Sequence, residues 1–151
     1  MFKNCAKDLA HEVLKLSEDF IESYNLTERD NTQLNLISSE AQSKITDMFT
    51  QVRTAGEQNE VGRDLGNSDH LGYYFANKND GLTIWQDFID NKTLEGYTLP
   101  TLRECANCSF HAKKKEFKID QNIHWLMFYS NHNNLVIMDI QKVCRSIISN
   151  F

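Results

Sequence analysis

Three side chains of this sequence have the types and order that thiol-dependent acyl transfer requires: Cys5 near the amino end, and His124 and Asp139 in two apolar runs near the carboxyl end. A thiolate attacks carbonyl carbon, and an imidazole that has taken the thiol proton can deliver it to the leaving group. A carboxylate beside the imidazole fixes its tautomer and stabilises the imidazolium. Cys5 falls at the start of an expected helix, where unpaired backbone N–H groups and the helix dipole favour a thiolate.

The elements that would position these groups can be read from periodicity. Phe2, Cys5, Leu9, Val13, Leu16, Phe20 and Tyr24 recur at three- and four-residue steps, predicting one face of a first helix. A polar break at Thr27–Asn31 follows. Leu34, Ile37, Ala41, Ile45, Met48 and Val52 predict a second helix over residues 32–53. Residues 54–67 are polar with three glycines and predict a loop. Ser68 is placed to cap a short helix carrying Leu71, Tyr74 and Phe75. Thr83 with Gln86, and Thr101 with Glu104, have the spacing of capping boxes, the second opening a helix to about Cys108.

After Lys113 the pattern changes. Residues 116–119 predict an edge strand. The runs 123–130 and 135–138 predict an antiparallel hairpin buried on both faces, turning through Asn131-His132-Asn133-Asn134. Residues 143–151 fit either a helix or a strand. With a four-residue turn, Ser130 pairs with Leu135, and His124 and Asp139 become diagonal neighbours on one sheet face. An odd-length turn would send them to opposite faces. The expected fold is therefore α+β: a helical amino-terminal two thirds packed on a small antiparallel sheet formed by the carboxyl-terminal hairpin, as one domain over residues 1–151.

The order Cys5, His124, Asp139, on an early helix and then a late hairpin, resembles the papain-like bacterial effector cysteine proteases of the YopT type. The resemblance implies a small hydrolase of peptide or isopeptide bonds that needs no cofactor, with Cys5 as nucleophile, His124 as base and acid, and Asp139 as orienting group. The chain departs from that family at Asp139-Ile140-Gln141, where Asp-Pro-Asn is usual. Asn4 or Gln121 would have to supply the oxyanion-binding amide. His124-Trp125 also resembles SUMO-protease-like enzymes, but these place the cysteine well after the aspartate, and Cys144 follows Asp139 too closely.

Other features point elsewhere. Cys105-Ala-Asn-Cys108-Ser-Phe-His111 offers three possible zinc ligands, with Cys144 or His132 as a fourth at no recognised spacing. Gly72-Tyr73-Tyr74-Phe75-Ala76 resembles a strand of ADP-ribosyltransferases, without the rest of that site. A net charge of −5 argues against a nucleic-acid partner, and Lys113-Lys114-Lys115 is the only dense basic run. No stretch reaches the ~20 apolar residues of a membrane span. The amino end lacks a signal-peptide pattern, which suggests a cytoplasmic protein or one delivered into another cell by a specialised route.

Two functions follow. One is the cysteine hydrolase, acting on a protein substrate, which requires the Cys5 sulfur within about 4 Å of a His124 ring nitrogen. The other is a noncatalytic acidic protein-binding module, such as an inhibitor or immunity protein that masks a basic partner surface. The second expects Cys5 sealed in the core and acidic side chains gathered on one exposed face.

Overall fold

Apolar periodicity and capping set the boundaries of most elements, and the computed structural model describes them over residues 1–26 and 28–151. Thr27, in the expected polar break, lies outside the described residues. Helix α1 (Phe2–Tyr24) and helix α2 (Asn31–Glu57) run antiparallel as a long pair. Asp30 caps α2 by accepting from Gln33 N at 3.1 Å. Helix α2 continues four residues past its expected end at residue 53, into what the sequence predicts as a loop.

The buried face of α1 differs from the expected stripe. Ala6, Ala10, Val13, Ser17, Phe20 and Ile21 face inward, so only Val13 and Phe20 are shared. Small side chains at 6, 10 and 17 let the backbone of α1 approach its neighbours closely, while Leu9 and Leu16 pack at the margin. This rotation turns Cys5 out to solvent.

Strand β1 (Gly72–Phe75), helix α3 (Gly81–Ile89) and helix α4 (Leu102–Phe110) follow. The short helix expected through Leu71, Tyr74 and Phe75 is instead β1. Gly72, at φ +154°, brings its backbone against β4, where an added Cβ would lie 2.0 Å from Ile137 O. The Thr83–Gln86 box does not form, because α3 starts three residues earlier, with Asp80 in the cap position and Gly81 as its first residue. The Thr101–Glu104 box forms as expected, with both reciprocal bonds (3.1 and 3.0 Å).

Strands β2 (Ala112–Asp120), β3 (Ile123–Ser130) and β4 (Leu135–Asp139) complete a four-stranded antiparallel sheet in the order β1-β4-β3-β2, and helix α5 (Ile140–Asn150) ends the chain. The molecule is thus α+β, with five helices among the described residues and the carboxyl-terminal hairpin at the sheet centre. Alternation along the strands divides two cores. Leu126, Phe128, Val136 and Met138 face α1, α2, α4 and α5. Met127, Tyr129, Leu135, Ile137 and Phe75 face Trp85 of α3. Both faces of the hairpin are buried, as its near-continuous apolar runs imply.

Candidate functional site

The hairpin turn decides where His124 and Asp139 point. Tyr129, not Ser130, pairs with Leu135, and Ser130 N bonds Asn134 O at 2.9 Å, so the β3–β4 ladder turns through an odd number of residues, 131–133. The Ser130 hydroxyl accepts from His132 N and Asn134 N at 3.3 and 3.1 Å, and Asn133 adopts a left-handed φ of +59°. The register consequently slips by one. Asp139 lies opposite Trp125, on the parity of the α3 face, whereas His124 has the parity of Leu126 and Phe128. The expected His124–Asp139 pairing on one face is therefore corrected: the two belong to opposite faces. The Asp139 carboxylate instead caps α5, accepting from Gln141 N and Lys142 N at 3.1 and 3.3 Å.

His124 is buried, stacked on Phe20 with ring centroids 5.4 Å apart and edge-on to Phe117. Its Nδ1 lies 2.9 Å from Ser17 Oγ, and Gln141 Nε2 donates to the same hydroxyl at 3.1 Å. Burial pushes the imidazole pKa down to about 4, so the ring is neutral at physiological pH. A hydroxyl beside an imidazole has the chemistry of a nucleophile–base pair, but Ser17 is 2% exposed and His124 6%, which leaves no path for a substrate. Sequence reading missed Ser17 because its place in the inward face of α1 is set by helix rotation, which the apolar stripe misjudged.

Cys5 and His124 do not meet. The imidazole bonds Ser17, twelve residues along α1 from Cys5, a separation of about 18 Å at ~1.5 Å per residue. The helix end beside Cys5 is also already occupied. Glu60 accepts from Phe2 N and Lys3 N at 3.4 and 3.3 Å and pairs with the terminal ammonium at 2.8 Å. Its carboxylate thus satisfies two of the open N–H groups at that helix end and complements the dipole there. Cys5 is nevertheless exposed, contrary to the sealed thiol that the binding-module reading expected.

The other cysteines are core residues and free thiols. Burial pushes the Cys108 thiol up to about 12, with the nearby Glu104 carboxylate adding to the effect, and raises Cys105 and Cys144 as well. Cys108 and His111 line a polar pocket of about 300 Å³ with His132, and the rings of His111 and His132 lie 5.1 Å apart. Among the described residues no group of three or more His, Cys, Asp or Glu side chains is arranged to hold a metal ion. Among them, too, no helix is long and apolar enough to cross a membrane.

The acidic residues are placed with more order. Taken at 100° per residue, the face of α1 opposite Ala6, Ala10, Val13 and Ser17 carries Asp8, Glu12, Glu18, Asp19 and Glu22. Lys15 and His11 share that face, and Lys44 of α2 pairs with Glu12 at 3.3 Å, so five carboxylates stand against two lysines. The carboxylates are all exposed except Asp19, which is half-buried. The Lys15 ammonium pairs with Asp19 at 2.9 Å, and its pKa is raised chiefly by that hydrogen bond, with the charges of Glu18 and Glu22 acting more weakly in the same direction. Comparison of the chain with family models, with curated proteins and with solved structures finds no match in any of the three.

Proposed function

We propose that this chain is a noncatalytic protein-binding module that presents the acidic outer face of α1 to a basic protein surface. The observation that carries this reading is the segregation along α1: small and apolar side chains on the inner face, five carboxylates on the outer. Such a face steers a basic partner and fixes its orientation more than it adds raw affinity. The separation of Cys5 from His124 supports the same choice, because it removes the pair on which thiol chemistry would depend.

The test is binding to an immobilised Lys/Arg-rich peptide, followed across salt concentration. Neutralising Asp8, Glu12, Glu18 and Glu22 to Asn or Gln is expected to abolish most of the salt-dependent binding. Removing the same number of charges around α3, at Asp80, Asp87, Asp90 and Glu95, is expected to leave most of it. Equal loss in both sets would reduce the effect to net charge and defeat the proposal. Hydrolysis of a peptide substrate that disappears in Cys5→Ala would return the hydrolase to first place.

A further inference from the structure

Strand β2 is the free edge of the sheet. It is nine residues long, and among the described residues no backbone outside β3 bonds to it. An edge of that length is ordinarily shielded, and lysines are one common means. Here the charges alternate in a particular way. On the α3 face the strand reads Lys114, Glu116, Lys118, Asp120, and the signs are antisymmetric about Phe117. A strand whose charges reverse sign about its centre is complementary to itself when paired antiparallel across a two-fold axis.

We infer that β2 pairs with β2 of a second copy of this chain, with Phe117 on the two-fold axis, joining two four-stranded sheets into one of eight strands. In this register Lys114 lies opposite Asp120 of the other copy, and Glu116 opposite Lys118, each twice by symmetry. Moving the axis by one residue in either direction is unfavourable. Centred on Glu116, the strands would place Glu116 against itself and Lys114 against Lys118. Centred on Lys118, they would place Lys118 against itself and Glu116 against Asp120. Charge therefore selects one register from its neighbours.

The other face of β2 fits the same partner. Phe117 is 45% exposed although it packs edge-on against Phe20 at 5.4 Å, and Lys115 and Ile119 flank it on the same face. A groove of about 510 Å³ separates β2 from α2, floored by Ile45, Leu126 and Phe128. This groove leaves room beside Phe117 for side chains of a neighbouring strand. Pairing would place the two Phe117 rings side by side at the axis and cover them. The joined sheet would keep the α1 faces of both copies free, so the dimer would present two acidic faces at once.

Lys114 and Asp120 make the test, Asp120 being the cleaner of the two because Lys114 also pairs with Glu116 of its own strand at 3.5 Å. Glu116 accepts from Trp85 Nε1 and Lys118 bonds the Phe88 and Ile89 carbonyls, so altering either would disturb α3. Sedimentation equilibrium of the whole chain, from micromolar to millimolar concentration, is expected to reveal a reversible dimer. Lys114→Glu alone, or Asp120→Lys alone, turns two attractive cross-strand pairs into two repulsive ones and is expected to weaken the dimer about thirtyfold. The Lys114→Glu/Asp120→Lys double variant restores opposite charges and is expected to recover association to near the parent value. A chain monomeric throughout that range would overturn the inference. So would a dimer indifferent to the single reversals, or one that the double variant fails to restore.

Discussion

The buried imidazole of His124 makes the stability of this protein pH-dependent in a predictable direction. In the unfolded chain the ring has the ordinary pKa near 6.5, and in the folded protein burial holds it near 4. Because the folded pKa is the lower one, the folded state binds fewer protons than the unfolded state throughout that interval. Stability due to this group is complete above about pH 6.5, declines as pH falls, and is exhausted below about pH 4. At ~1.4 kcal/mol per pH unit, the interval corresponds to about 3 kcal/mol. That is a substantial part of the total stability of a domain of this size. No carboxylate hydrogen-bonds the ring to oppose the effect, since its neighbours are Ser17, Phe20, Phe117 and, through Ser17, Gln141. The assay is urea unfolding between about pH 7.5 and about pH 4, on the parent and on His124→Gln, whose amide cannot titrate. The parent is expected to lose about 3 kcal/mol more than the variant across the range. Parallel curves would refute the reasoning, because they would mean that His124 is as easily protonated inside the fold as outside it.

Three further outcomes are expected. Iodoacetamide should label Cys5 in the native protein at a rate unchanged by His124→Ala, while mass spectrometry finds Cys105, Cys108 and Cys144 unlabelled until the chain unfolds; loss of Cys5 labelling with the imidazole would contradict the separation described above. Asp139→Ala should cost about 1 kcal/mol by thermal denaturation, whereas Asp139→Asn, an equally good cap, should cost little. Gly72→Ala should destabilise by about 3 kcal/mol or more, seen as a fall in the denaturation midpoint, because its Cβ would meet the Ile137 carbonyl.

Long amphipathic elements were legible in the sequence, and so was the capping box at Thr101 and Glu104, because these signals are local. Runs 123–130 and 135–138 had the length and apolar continuity of strands buried on both faces, and they became β3 and β4. Short elements were harder to read. Nothing local in Leu71–Phe75 separates a helical turn from a strand, and β1 exists because β4 offers an edge and Gly72 tolerates the close approach. The inner face of α1 departs from the apolar stripe for a related reason. An apolar stripe predicts burial by transfer free energy, whereas two packed helices also reward small side chains at their closest approach, and that placed Ala6, Ala10 and Ser17 inside.

The candidate site depended on a finer quantity than any of these. Whether His124 and Asp139 share a sheet face turns on the parity of one loop, and composition does not determine it. Asn131-His132-Asn133-Asn134 is turn chemistry at either length. The odd count is held by Ser130, whose N–H bonds Asn134 O and whose hydroxyl accepts from His132 N and Asn134 N, so that Ser130 faces Asn134 and not Leu135. One residue of slip then gives each polar group a different task. Asp139 is released to cap α5, and His124 enters the layer where α1 offers Ser17 and Phe20. The same side chains that suggest a triad in sequence order thus become one helix cap, one buried neutral ring and one exposed thiol at the far end of α1.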